Sequence, residues 1–250
     1  MLSRIRAKKL VWPAVMTLLG VAFLIGLGNW QMQRLAWKQG LVGAIAERTH
    51  ADPVTLASIE TRATEGGDPE YARVKVDGRL RNDHELYFYD FDERLGPGYH
   101  VVTPLEQADG SIVFVNRGFI PQDLKDPAKR AAGQLSGDVS IVGLVREPRP
   151  PGPFTPANDP ARNIWYWYDL DAMAASALGA ERGRVVPFIV DAEREPALPG
   201  GFPKGGTTRL ELPNRHLEYA LTWYGLAAAL VAVFAAFAVT RWRQPGPPPT

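Results

Sequence analysis

The chain has 250 residues, a formal net charge of +1, 46% hydrophobic residues and no cysteine. A near-zero net charge gives no electrostatic basis for a nucleic-acid partner, and the lack of cysteine removes disulfides, thiolate metal centres and thiol catalysis together. The charge is nevertheless polarised: residues 1–30 hold Arg4, Arg6, Lys8 and Lys9, residues 219–250 hold Arg241 and Arg243, neither end holds an acid, and the middle keeps 22 basic residues against all 27 acids.

Residues 1–9 form a short basic terminus. Residues 10–28, "LVWPAVMTLLGVAFLIGLG", carry no charge. At about 1.5 Å per residue they reach roughly 28 Å, the thickness of a bilayer's hydrocarbon core, so a transmembrane helix is predicted over 10–29. Pro13 falls in its first turn, where a missing N–H costs little. A cleaved signal peptide is the competing reading, since Gly26-Leu27-Gly28 has the small-x-small form of a cleavage site. The run is long for such a peptide, and it continues into the aromatic, basic "NWQMQRLAWK".

Residues 30–215 form the predicted exported domain. "AWKQGLVGAIAERTH" (36–50) carries the first helix outward. Strands are expected in 70–80, 84–90, 98–107, 111–120, 138–147, 163–170 and 184–193, all rich in Val, Ile, Tyr and Phe. "ADG" (108–110) is a hairpin signal. "LDAMAASALG" (170–179) reads as a short helix capped by Asp169 or Asp171 and stopped by Gly179. The Pro/Gly-rich stretches 148–160 and 196–206 read as surface loops. A second transmembrane helix is predicted over 216–240; its lack of charge and its apolar circumference suit lipid better than a soluble core. Trp12, Trp30, Trp223, Tyr224 and Trp242 lie near the span ends, as interfacial aromatics do. Residues 241–250 form a disordered tail. The basic flanks put both termini in the cytoplasm. The expected architecture is a membrane α+β protein, with two transmembrane helices flanking a β-rich periplasmic domain with a few short helices, in a bacterial inner membrane.

Catalytic patterns are missing: there is no G-x-S-x-G, P-loop, H-E-x-x-H or G-x-G-x-x-G. The four methionines are scattered, unlike the soft-ligand clusters of a copper carrier. Asp90 and Asp92 share a strand face and read as a solvated strand end; His50, His84 and His100 read as surface or hydrogen-bonded histidines. His216 differs. Asn214 can cap the second helix, which puts His216 in its first turn. Ala220, Trp223 and Ala227 share its face by helical spacing, and Tyr219 flanks it. Arg215 is adjacent, Arg209 near, and Arg34 and Lys38 lie just beyond the first span. A neutral imidazole for iron, small residues beside a flat macrocycle and arginines for propionates would suit a haem. An interfacial histidine among lipid-binding arginines is the alternative. Trp30, Arg34 and Trp37 share one helical face and are expected to pack beside His216.

Three stretches carry a resemblance. "LGNWQMQRLAWK" (27–38), "PGYHVVTPLEQADGSIVFVNRGFIPQD" (97–123) and "NRHLEYALTWYGLA" (214–227) resemble, in order, the first, central and closing signatures of the surfeit locus protein 1 family, membrane assembly factors of cytochrome c oxidase. Two departures stand out: Phe119 where the family has Trp, and Arg215 where Asn is frequent. The resemblance implies a non-enzymatic protein that binds haem a and assists its supply to oxidase subunit I, with haem a synthase as a further partner and the bilayer as its surroundings. It makes His216 the implied ligand to the haem iron, with Arg215, Tyr219, Trp223, Trp30 and Arg34 around the cofactor. A haem-independent scaffold for an oxidase intermediate and a membrane-anchored enzyme are the other readings.

Overall fold

The uncharged run beginning at Leu10 is helical, and the helix outlasts its apolar residues. In the computed structural model, which describes residues 10–179, 183–208, 210 and 214–243, α1 runs Val11–His50, 40 residues, or about 60 Å. The basic run at 4–9, Arg209 and the tail beyond 243 lie outside the described residues. The chain divides into two units, one of residues 1–44 with 211–250 and one of residues 45–210.

The second unit is built on one sheet. A two-residue strand β1 (Val54–Thr55) leads into helix α2 (Leu56–Thr64), where Thr55 accepts the Ser58 amide as a cap. Then come β2 (Arg73–Leu80), β3 (Leu86–Asp92), β4 (Gly96–Glu106), β5 (Ile112–Pro121) and β6 (Asp138–Arg146), followed by helix α3 (Leu170–Leu178) and β7 (Val185–Ala192). Asp169 caps α3 by accepting the Ala172 amide at 3.1 Å, and Gly179 ends it. Strand order is β1-β2-β6-β7-β5-β4-β3, with β2 also paired to β4, so five strands close into a barrel-like ring. The β1–β2 and β5–β7 pairs are parallel and the rest antiparallel.

Alternation explains which face each residue takes. Val74 and Val76 of β2 turn inward to Leu105, Val113, Val115, Val145, Phe188 and Val190. The intervening Ile112 and Phe114 of β5 and Ile189 of β7 join a second core under α3, with Met173 and Leu178. β5 and β7 are therefore apolar on both faces, as parallel pairs covered on both sides are. The run 163–170, expected as a strand, is not one. Asn163 turns the chain in the left-handed region at φ 51. Trp165 alone then bridges β3, its amide donating to Tyr87 O and its carbonyl accepting from the Tyr89 amide, both at 2.9 Å. Its ring is fully buried in the second core. Of the aromatics that read as strand alternation, Trp165 and Tyr168 fill that core, while Tyr166 is exposed.

Two buried carboxylates tie the strands together. Asp191 on β7 accepts from Asn116 of β5 at 2.9 Å, Arg146 of β6 at 3.1 Å and Thr208 at 2.9 Å. Glu85 accepts from Tyr87 at 3.0 Å, Arg117 at 3.2 Å, Gln134 at 3.0 Å and both Nη groups of Arg130. Burial opposes ionisation of Glu85, but the Arg130, Gln134 and Tyr87 bonds outweigh it and hold the carboxyl below its ordinary range. Burial pushes the Arg117 guanidinium down to about 10, still charged at neutral pH.

The second long helix, α4 (His216–Arg243), closes the first unit. Both α1 and α4 have a mean hydropathy of 2.0 over their most apolar windows, and only 6% of each window is buried. A core helix of a soluble protein would be mostly covered; these present their apolar surface outward and are membrane-spanning in length and composition.

The Glu85 cluster has a testable pH signature. Folded Glu85 is more acidic than unfolded Glu85, so its contribution is present above the usual carboxylate range near pH 4–5 and is lost as pH falls through the lowered folded value. Arg130→Met should lower stability by about 3–5 kcal/mol at neutral pH, because it strips a buried charge of its main partner. Glu85→Gln should flatten the acid limb of stability against pH. Denaturant midpoints of the detergent-solubilised protein, measured from pH 3 to 7, check both.

Candidate functional site

α4 begins at His216, and Asn214 caps its first turn by accepting the His216 amide at 3.4 Å. The imidazole is half-buried. Its Nδ1 meets the Gln31 side-chain oxygen of α1 at 2.7 Å. A carbonyl oxygen can only accept, so Nδ1–H is the donor of this bond and Nε2 takes no part in it. Eight residues further along α4, the Tyr224 hydroxyl donates to Asn29 Oδ1 at 2.8 Å. The two helices thus run antiparallel and share two polar bonds.

Small residues make that approach close. A side chain added at Gly28 would collide with the Tyr224 ring, and one at Gly20 would stand 2.9 Å from Leu230 Cδ2. On α4, Ala220 and Ala227 are 0% and 5% exposed. Read from sequence as room for a macrocycle, these alanines are instead covered within the helical unit, as small residues between membrane helices are.

The other expected site residues are open. Trp30, Trp37 and Tyr219 are about half exposed, and Arg34 lies against Trp37 with its guanidinium 4.5 Å from the ring centroid. Arg215 points to solvent and pairs with Glu218 at 2.9 Å. Trp223 is half-buried and Lys38 has a partner of its own. The residue of the first signature that reaches His216 is therefore Gln31, next to Trp30, and the Trp30–Arg34–Trp37 face stays exposed. Sequence reasoning missed Gln31 and Asn29; the signal was there, two amides just past an uncharged span where polar side chains need partners. One imidazole with its second nitrogen engaged, beside exposed aromatics and guanidiniums, is a donor set that fits a haem iron and its propionates.

The residues 116–119 of the central block do structural work. Asn116 holds Asp191 and also accepts the Gly118 amide at 3.0 Å. Arg117 lies in the Glu85 cluster. Gly118 has φ +117 and its backbone touches that of Lys204, leaving no space for a side chain. Phe119 packs edge-on against His100 with centroids 5.7 Å apart. His100 bonds Asp90 at 3.1 Å, His84 contacts Asp83 at 3.0 Å, and His50 bonds the Ala46 carbonyl at 2.8 Å, as expected of hydrogen-bonded histidines. Asp92 accepts the amides of Arg94 and Leu95 in a tight turn, at a strand end. Among the described residues no group of three or more His, Asp or Glu could hold a metal ion. A cleft of about 480 Å³ between Tyr89, His100, Arg146 and Tyr166 has polar walls that bond mainly to one another.

Comparison with known proteins follows this geometry. The sequence profile of the SURF1 family matches residues 18–228, which takes in α1 from its eighth residue on, the sheet and the start of α4. Surfeit locus protein 1 of Mus musculus is 40% identical over 223 residues, 83% of this chain and 70% of that protein. That of Xenopus tropicalis is 39% identical over 219 residues, 81% and 68% respectively. The SURF1-like protein of Drosophila melanogaster is 34% identical over 225 residues, 83% and 71%.

The helix contact predicts a contrast between two glycines. Gly28→Leu drives a side chain into Tyr224 and should lower the thermal midpoint of the detergent-solubilised protein by several degrees, as overpacking of about 1–3 kcal/mol does. At Gly26 an added Cβ meets nothing within 4 Å, so Gly26→Leu should leave the midpoint unchanged or slightly raised. Tryptophan fluorescence during heating measures both.

Proposed function

The chain belongs to the SURF1 family, and from that premise together with the state of His216 we propose that it is an assembly factor for haem-copper cytochrome c oxidase that binds haem a and assists its supply to subunit I. The observation that supports the reading is the His216–Gln31 bond at 2.7 Å, which engages Nδ1 and leaves Nε2 outside that bond. Haem a bound there would bring an iron centre and a prenylated macrocycle whose propionates seek water and cations. His216 would ligate the iron, and Arg215 and Arg34 would meet the propionates. Tyr219, Trp30 and the half-buried Trp223 would flank the ring. A carrier holds its cargo with fewer ligands than the final acceptor supplies, which matches one histidine and no catalytic machinery. The protein is then not an enzyme, and its partners are subunit I, haem a synthase and the bilayer. The charge layout supports a bacterial inner membrane with cytoplasmic ends and a periplasmic domain.

Two measurements test this. Protein purified from cells that make haem a should show a Soret band, lost in His216→Ala and reduced in Arg215→Ala by one charged contact of roughly 1.5–3 kcal/mol. A full, unshifted band in His216→Ala sinks the site. In membranes lacking the protein, the haem-a-to-oxidase ratio should fall; a normal ratio with fewer complexes favours the haem-independent scaffold. Reporter fusions at residue 130 and at the C-terminus should read periplasm and cytoplasm, and a cytoplasmic result at 130 overturns the topology.

A further inference from the structure

We propose that Gln31 is the positioning residue of the His216 ligand: its side-chain oxygen accepts Nδ1–H and so selects the imidazole tautomer, and the ring orientation, in which Nε2 is the coordinating atom. The inference rests on His216 being the iron ligand, and adds to it a residue with no contact to iron.

Four observations carry it. The bond joins residues on different helices and is 2.7 Å long, at the short end for N–H···O. The ring is half-buried beside an apolar span, where water competes poorly for Nδ1. The backbone under His216 is fixed by Asn214. The helix register that brings Gln31 opposite His216 is set independently, by Tyr224 seated on Gly28 and bonded to Asn29. A free imidazole in water interchanges its tautomers; with Gln31 Oε1 turned to the ring, only an Nδ1–H makes the bond. Histidines that bind metals depend on such an outer partner, whose loss typically weakens binding about 10–100-fold. An amide acceptor brings no charge to the ring, whereas a carboxylate would draw the Nδ1 proton and make Nε2 a stronger donor to a metal.

The test has a haem-free arm and a haem arm. In the haem-free arm, protein labelled with ¹⁵N in its imidazoles is examined by NMR in detergent, with His216 assigned by its loss in His216→Ala. The parent protein should show His216 as the Nδ1–H tautomer. Gln31→Leu should lose that preference, Gln31→Glu should keep it, and Tyr224→Phe, which removes only the neighbouring bond, should keep it too. In the haem arm the probe is purified haem a titrated into the detergent-solubilised protein. Gln31→Leu should bind about 10–100-fold more weakly than the parent, Gln31→Glu within a few-fold, and the iron midpoint potential should fall in Gln31→Glu. An Nε2–H tautomer in the parent protein overturns the proposal. So does a Gln31→Leu variant that binds haem as tightly as the parent while His216→Ala does not bind. The Nδ1–H tautomer in a protein that takes up no haem would overturn the ligand reading and leave the Gln31 bond standing, so the two failures are distinguishable.

Discussion

Hydrocarbon offers no hydrogen bonds, and the helical unit is organised around that constraint. Backbone groups satisfy themselves by forming α1 and α4. Side-chain polar groups near the apolar spans must find one another, and two such pairs do: Gln31 with His216, and Asn29 with Tyr224. Neither pair forms unless the helices approach closely, and they can because Gly20, Gly28, Ala220 and Ala227 bear little or no side chain. The small residues, the register and the state of the imidazole are thus one linked arrangement.

The sheet unit uses its polar groups differently. Glu85 and Asp191 each gather partners from separate strands and loops, and nearly all of those partners are charged or amide side chains. Buried ion pairs add little net stability, yet breaking one is costly, so such clusters select one arrangement of strands over others. The "NRGF" stretch at 116–119 lies at the meeting point of both. Asn116 belongs to the Asp191 cluster, Arg117 to the Glu85 cluster, and Gly118 lets the backbone of Lys204 come against β5. Its motif density reflects architecture: all four residues are taken up by packing and by the two carboxylate clusters.

Much of this was legible in the sequence where the signal was continuous. The uncharged runs, the strands of β2 and β4–β7 and the cap at Asp169 follow from periodicity and composition over many residues. Reading failed where a single side chain decided the outcome. "NIWYWYDL" has strand composition, but one left-handed residue, Asn163, sends Trp165 into the core. Helix α2 over Leu56–Thr64 carries few apolar residues and went unseen. Ala220 and Ala227 were correctly placed on the His216 face, but small size is ambiguous: it makes room for a ligand or for a neighbouring helix, and only the position of α1 decides. The amide of Gln31 just past an uncharged span signals the need for a partner, but a partner 185 residues away leaves no local periodicity to name it.

The closed ring also has a temporal meaning. Strand β7 lies between β5 and β6 and is the last strand among the described residues. Until it is synthesised, the earlier strands form an open sheet with two bare edges, and Val113 and Val115 lack the neighbours that cover them. Contacts so distant in sequence form slowly, because loop-closure entropy is spent before they stabilise anything. Maturation of this domain is therefore a late, all-or-none event rather than a progressive one, and it comes only when the segment preceding the final helix has emerged. A nascent chain stalled short of β7 would remain a sticky, protease-sensitive intermediate however long it waited.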